Sequence, residues 1–339
     1  MKRPVAIITG GAGFIGHYLV EEFYKTHDLI CLIRPGTKNL KRIYEICNLN
    51  EQVGWSSDGY WVQSFTGITL VSKDLRTPVD LELLSRVVEV DRIKLILHAG
   101  GNPSSESSIQ DPISVVLDNV VGTVNMLEVA KKLQIDRFVY YGAAESYGPV
   151  AEGEVSRETD PYNSISPYAA SKSSGAEFCM AYYKTYGVPV SVINIANTFG
   201  PRCQTNRYPV VLINNILEEK TTTILRSKDG KVGGRRWFHA QDVADITRFV
   251  LQHQTEKFDK WNAAGQRFVD NFYLGNIVSN ILGKPFPYEY GEIKRHGHGA
   301  HMSITPQKLF DAGWVPKYHL ERRLEDTVYW YLKHREWLV

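Results

Sequence analysis

The sequence predicts an α/β protein, a doubly wound parallel sheet over residues 1–195 followed by a smaller C-terminal lobe. Three observations carry that expectation. Short runs rich in β-branched residues alternate with segments of helical periodicity over about two hundred residues, and such alternation builds a parallel sheet through right-handed crossovers. The first of these runs passes directly into a glycine-rich turn, Thr9-Gly10-Gly11-Ala12-Gly13-Phe14-Ile15-Gly16. From Asn197 onward the alternation loosens into loops and shorter elements, with no repeat, low-complexity tract or flexible linker. The expected division is 1–195, with 236–262 returning to it, against 196–235 together with 263–339.

Val5 to Ile8 reads as a buried strand, and Phe14, Ile15, Tyr18, Leu19, Glu22 and Phe23 recur at helical spacing after the turn. Gly10 permits the tight turn, Gly13 the approach of backbone to a pyrophosphate, and Gly16 the close packing of helix on strand. Amides at the helix start, including Phe14 and Ile15, then face a diphosphate at the positive end of the helix dipole. The turn therefore points to a dinucleotide, and the sheet to a Rossmann arrangement. Leu29 to Ile33 is the second strand. At its end an acid would bind the 2′-hydroxyl of NAD, whereas an arginine accommodates the 2′-phosphate of NADP. The chain has Arg34-Pro35-Gly36 there, then Lys38, Lys41 and Arg42, with no acid before Glu45. That favours NADP, with NAD held by main-chain contacts as the alternative.

Residues 48–69 read as an irregular insertion, and Ile68 to Val71 as a short third strand. Lys73-Asp74-Leu75 follows, an Asp-Leu pair expected to face the adenine. Residues 79–90 look helical, and Lys94 to His98 is a fourth strand ending in Ala99-Gly100-Gly101, whose small side chains leave room for a cofactor. Pro112 to Leu133 reads as one long amphipathic helix containing Asn119, Gly122 and Thr123. Phe138 to Tyr141 is a fifth strand, leading to Gly142-Ala143-Ala144-Glu145-Ser146-Tyr147-Gly148. Pro167 opens a helix that runs to Tyr186, and Val188 to Ile195 is a sixth strand. Later helices are expected around Pro209 to Lys220 and Asp242 to Gln252.

Composition narrows the function classes. Over 339 residues the net charge is +2 and no long Lys/Arg run occurs, so no nucleic-acid partner is expected. No window approaches about eighteen uninterrupted apolar residues, so no membrane span is expected, and the N-terminus lacks the apolar stretch of a signal peptide. Cys31, Cys47, Cys179 and Cys203 form no CxxC pair and read as reduced thiols of a cytoplasmic protein.

Tyr168 and Lys172 lie one turn apart on a single helical face. A nearby ammonium lowers a tyrosine pKa, so the phenolate can take a proton from a substrate hydroxyl while hydride leaves the same carbon. With these residues in place the chain resembles the extended short-chain dehydrogenase/reductases of the nucleotide-sugar epimerase/dehydratase family. The resemblance rests on the glycine turn, Asp74-Leu75, His98-Ala99-Gly100, Asn119 with Gly122-Thr123, Tyr147-Gly148, and Ser166 to Lys172. Asn197-Thr198-Phe199-Gly200-Pro201-Arg202 and Arg235 to Asp242 extend it over nearly the whole chain. It implies transient oxidation of a sugar hydroxyl, usually at C4, which acidifies the C5 proton before the hydride returns. It also implies Tyr168 as base and Lys172 as its lysine, with Gly10, Gly13, Gly16, Asp74, Leu75, His98, Ala99, Gly100 and Asn119 at the cofactor. Ala143, Asn197, Arg202 and Arg235 are then expected at a nucleoside-diphosphate sugar, with Arg235 clamping the diphosphate. Members suggest a homodimer through the helices near 112–133 and 167–186.

Departures from the family pattern concentrate in one segment. Ala143 stands where members usually carry Ser or Thr beside the reacting oxygen, a loss that should slow proton transfer by ~10²- to 10⁴-fold unless another group replaces it. Glu145 lies where dehydratases and uronate decarboxylases of the family carry a glutamate able to remove the C5 proton, while Ala144 replaces the aspartate of one dehydratase subgroup. Near the C-terminus, Arg295-His296-Gly297-His298-Gly299-Ala300-His301 occupies the place of a second phosphate arginine, a charge Arg295 would supply. These histidines have no local acid or cysteine, so no metal is expected. Elimination to a 4-keto sugar ranks first on Glu145. The alternatives are a nucleotide-sugar epimerase, a 4-keto reductase, a uronate decarboxylase, and a dinucleotide-binding sensor or scaffold without catalysis.

Overall fold

A computed structural model describes residues 2–47, 53–57, 60–227, 230–292 and 301–338. The chain divides into two compact units. The first comprises Met1–Ala143, Ser166–Asn194 and Val243–Trp261, and the second Ala144–Ile165, Ile195–Asp242 and Asn262–Val339.

The first unit is built on β1 (Val5–Thr9), α1 (Phe14–Phe23), β2 (Asp28–Ile33), α2 (Lys41–Cys47), β3 (Val53–Ser57), β4 (Tyr60–Phe65), β5 (Ile68–Ser72) and α3 (Leu81–Ser85). It continues with β6 (Ile93–His98), α4 (Ser105–Gln110), α5 (Pro112–Val116), α6 (Gly122–Leu133), β7 (Arg137–Ala143), α7 (Pro167–Tyr186) and β8 (Val190–Ile195). One nine-stranded sheet runs, from one edge, Phe258–Ala263, β8, β7, β6, β1, β2, β5, β4, β3. β1 pairs in parallel with β2 and β6, β2 with β5, and β6 with β7. The order of strands reverses at β1, next to the glycine turn, which is where doubly wound sheets bind ligands. β1 is fully buried along its length, as a strand covered by helices on both faces must be.

Three expectations are corrected here. The 48–69 segment is not irregular: β3 and β4 pair antiparallel, and β4 pairs antiparallel with β5. The signals were Asp58-Gly59 between the strands, the strongest short hairpin dipeptide, and the β-prone Tyr60-Trp61-Val62. The helix expected over 79–90 shrinks to α3, capped by Asp80 and followed by a 3₁₀ turn at Val90–Arg92. The intervening β-branched Val87 and Val88 are poor helix formers. The long helix over 112–133 is interrupted by a π-helical turn, Leu117–Val121. By length and composition alone that 22-residue stretch is long and apolar enough to cross a membrane. Half of its most apolar window is nevertheless buried, and the turn carries the buried Asp118.

In the second unit, short strands pair Thr198–Phe199 with Phe238–His239, Thr222–Arg226 with Tyr288–Glu292, and Gly234–Arg235 with Val269–Asp270. Helices Tyr208–Leu217, Asn271–Leu282 and Leu320–Lys333 enclose a core of Phe199, Leu212, Trp237, Leu274 and Leu324. A buried ion pair, Asp242 with Arg323, ties this core's C-terminal helix to the end of the Arg235–Asp242 segment. A second cluster of Ala144, Tyr147, Ala264 and Ile304 seats the 3₁₀ turn Ala144–Tyr147.

Candidate active site

In the first unit the glycine turn is closed so tightly that side chains are excluded. Gly10 adopts φ +68°, and a Cβ there would meet the Gly100 Cα at 2.8 Å. A Cβ on Gly13 or Gly16 would lie 2.9 or 2.0 Å from the Gly10 carbonyl oxygen, so only glycine fits. Gly13 caps α1 without a side-chain hydrogen bond, leaving the amides of the first turn bare of any capping group. This cradle fits a diphosphate. Phe14 and Ile15 open α1, with Phe14 buried.

The β6 end is held by a directed chain of hydrogen bonds. The Gly100 amide donates to Thr9 Oγ1 (2.8 Å), which lies 2.8 Å from His98 Nδ1. His98 Nε2 lies 3.0 Å from Thr123 Oγ1, and that hydroxyl donates to the Asn119 carbonyl at 2.6 Å. The directions close when His98 carries its proton on Nε2. Burial, reinforced by the Lys172 charge, pushes the His98 pKa down to about 3, so the ring is neutral. His98 thus fixes the Ala99-Gly100 turn. Asn119 is also a hub: its Oδ1 accepts from the Asn102 amide (2.7 Å) and its Nδ2 donates to Ser171 Oγ (2.8 Å). The Ser171 hydroxyl in turn donates to the Tyr168 carbonyl (2.7 Å), so Asn119 couples the loop after β6 to the start of α7.

Asp74 accepts from the Arg76 amide (2.9 Å) in an Asx turn, and Leu75 lies against the backbone of Gly100, where an added Cβ would stand 3.1 Å from Leu75 Cδ1. Arg34 and Arg76 both bind the same oxygen of Asp118, at 2.7 and 2.8 Å. Sequence reading missed Asp118, although an acid inside an otherwise apolar helical stretch is a signal for a paired buried charge. Arg42, grouped with Arg34 in the sequence, is buried and donates to the Ala12 carbonyl (3.0 Å), so it serves the turn's architecture.

α7 begins at Pro167 with Ser166 as N-cap, accepting from the Ala169 amide (3.1 Å), which sets the register that places Tyr168 and Lys172 on one face. Both are half-buried. Burial lowers the Lys172 pKa to about 8. Upstream on β7, Ala143 is buried. A Cβ on the preceding Gly142 would meet Asn194 Oδ1 at 2.2 Å, so the Asn194 side chain on β8 occupies the space beside Gly142.

In the second unit the structure brings Glu145 and Arg235 together. Glu145 is half-buried in the Ala144–Tyr147 turn, and Arg235 lies on the short strand Gly234–Arg235. Burial lowers the Arg235 pKa, and the Glu145 carboxylate opposes that effect. Arg235 Nη1 donates to the Gly234 carbonyl at 2.6 Å. His301, from the histidine segment, pairs by backbone with Gly234, and its Nε2 is buried without a hydrogen-bond partner among the described residues. Arg295, His296 and His298 lie outside the described residues. Asn197 is half-buried and accepts from the Phe238 amide through its carbonyl (3.3 Å). Arg202, at φ +63°, places its guanidinium over the Trp330 ring at 5.2 Å, packed toward the C-terminal helix. Among the described residues no group of three potential metal ligands occurs.

The chain is 27% identical to a dTDP-glucose 4,6-dehydratase of Xanthomonas campestris pv. campestris strain B100, over 98% of this chain and 94% of that one. Its identity to a dTDP-glucose 4,6-dehydratase of Salmonella typhimurium is likewise 27%, with the same coverage. Among solved structures, the dTDP-glucose 4,6-dehydratase of Streptomyces venezuelae, solved with NAD bound, superposes with a TM-score of 0.83 at 25% identity over 98% of both chains. The corresponding enzyme of Bacillus anthracis in complex with NAD gives 0.81 at 27% identity, again over 98% of both chains. The model of the NAD dependent epimerase/dehydratase family matches residues 6–264. The chain belongs to the NAD dependent epimerase/dehydratase family.

Proposed function

We propose that this enzyme is a nucleoside-diphosphate-hexose 4,6-dehydratase. The observation that carries the reading is Glu145, a carboxylate in a fixed, half-buried turn whose charge acts on Arg235. The relatives named dTDP-glucose 4,6-dehydratase support the choice and make dTDP-glucose the first substrate to try. When bound, a dinucleotide would supply a reversible hydride acceptor for the sugar. Tyr168 takes the proton of the C4 hydroxyl, and the Lys172 ammonium favours its phenolate by opposite charge. Glu145 removes the C5 proton that the 4-ketone acidifies and passes it to the departing C6 hydroxyl, which leaves as water as the C5–C6 double bond forms. Arg235 holds the diphosphate, its guanidinium matching two oxygens at once. The glycine turn, Asp74, Leu75, Ala99, Gly100 and Asn119 surround the dinucleotide.

For the dinucleotide we take NADP as preferred, with NAD as the alternative. β2 ends in Arg34 rather than an acid, and Asp118 offers one carboxylate to two guanidiniums, leaving one net positive charge. The relatives solved with NAD support the alternative. We also place the protein in the cytoplasm as a homodimer. Cys31, Cys179 and Cys203 are buried and read as reduced thiols, and Ile109, Ile113, Val116, Leu117 and Phe178 on the 105–121 segment and α7 are exposed large apolar residues.

A second reading, 4-epimerisation, is favoured by Ala144, which lacks the acid of one dehydratase subgroup. Product mass separates the two: dehydration removes one water, epimerisation leaves the mass unchanged, and loss of carbon dioxide marks decarboxylation. Glu145→Gln should abolish exchange of the C5 proton with solvent deuterium while C4 oxidation continues. Exchange at the parental rate overturns the assigned role.

A further inference from the structure

Lys172 carries its charge in an unfavourable place. It is half-buried, and among the described residues its ammonium has no hydrogen bond or ion pair. Its Nζ instead stands 4.6 Å from the centre of the Tyr140 ring on β7. Three separate constraints hold that ring beneath it. The Tyr140 hydroxyl donates to the Lys172 carbonyl at 2.9 Å. Gly175, one turn further along α7, has no Cβ, and one added there would lie 2.3 Å from the Tyr140 hydroxyl and 2.7 Å from the ring, so the helix rests directly on it. Behind it, the His98 ring stacks at 27° with centroids 6.1 Å apart, and His98 is itself locked between Thr9 and Thr123. Tyr140 is wholly buried, so its π face is desolvated, the condition in which cation–π attraction is strongest.

We propose that Tyr140 is a positioning residue for Lys172: its ring face holds the ammonium charged and at the station from which it acts on Tyr168. This rests on the roles given above to Tyr168 and Lys172. The other groups facing Lys172 do not supply that anchor. His98 on β6 is neutral, and the Cys179 thiol is pushed up by burial and stays protonated. On the helices packed against α7, Asp118 is taken by Arg34 and Arg76, Glu128 by Lys131 and Tyr182, and Glu106 is exposed. The aromatic face is therefore the nearest electron-rich partner.

The test replaces Tyr140 with phenylalanine and with its mono-, di- and trifluorinated forms, which keep the ring's shape while draining its π density. Competitive acetylation of Lys172 across pH, read from the mass of its peptide, measures the lysine pKa without relying on turnover. Phenylalanine should leave that pKa in place, and trifluorophenylalanine should lower it by about one pH unit, a tenfold loss of proton affinity, with graded values between. Turnover of dTDP-glucose should lose its alkaline limb at correspondingly lower pH. A lysine pKa indifferent to fluorination overturns the inference. A pKa that falls while the turnover profile stays fixed leaves Tyr140 as the anchor of Lys172 but overturns its positioning role along with the catalytic role assigned to that lysine. Tyr140→Leu adds a check: if it folds with the Lys172 pKa unchanged, the inference is likewise wrong.

Discussion

Replacing Lys172 with methionine should make this protein more stable while abolishing its activity. The gap between the lysine's ordinary pKa of 10.5 and its value of about 8 in the folded chain corresponds to about 3 kcal/mol charged against the native state. Both states hold the proton at neutral pH, so the full penalty applies there. As pH rises from about 8 towards 10.5 the folded protein releases the proton while the unfolded chain keeps it, and the penalty fades. The unfolded state binds more protons across this window, so the parent gains stability with rising pH. Methionine preserves the linear stem without the charge, and replacing a buried charge by an apolar group of similar volume is commonly stabilising by ~1–4 kcal/mol. Urea unfolding of parent and Lys172→Met proteins should therefore show the variant ahead by about 1–3 kcal/mol at neutral pH, with the difference closing by pH 10.5. The comparison cancels the other lysines and tyrosines that titrate in the same range. A variant less stable than its parent at neutral pH, or a difference independent of pH, refutes the reasoning.

Other outcomes follow from the same structure. His98 is neutral when folded and ionises near 6.5 when unfolded, so the protein should lose stability as pH falls from about 6.5 towards about 3, and His98→Gln should flatten that slope in acid titrations followed by circular dichroism. Asp118→Asn releases Arg34 from its carboxylate and should raise the ratio of kcat/KM with NADP to that with NAD by about tenfold; an unchanged ratio would show that Arg34 does not reach the ribose. Ile113, 69% exposed on α5, is the place to probe self-association: Ile113→Glu should weaken any self-association seen in analytical ultracentrifugation while leaving the fold intact, and parent and variant sedimenting alike would show that this face is not an interface.

The sequence determined the class of this protein because its strongest signals are local. A strand, a glycine turn and a helix in direct succession dictate backbone geometry by sterics alone, and the excluded Cβ positions at Gly10, Gly13 and Gly16 show why no other residue serves. Tyr168 and Lys172 were equally legible, since a spacing of four in a helix fixes a shared face whatever surrounds it. The hairpin of β3 and β4 could have been read from Asp58-Gly59, a local signal passed over because the flanking residues mix polar and aromatic types. What only the tertiary structure decided are the partners brought from far along the chain. Asp118 stands 84 residues from Arg34, yet it forms an ion pair with that arginine. His98 and Asn119 read as residues of the cofactor site, and the partners that orient them, Thr9, Thr123, Asn102 and Ser171, come from four other places in the chain. Tyr140 read simply as one apolar residue of a buried strand, and its place under Lys172 arises only once β7 and α7 pack through Gly175. Periodicity encodes which face a side chain takes; burial, and with it pKa and ion pairing, depends on which distant residues that face meets.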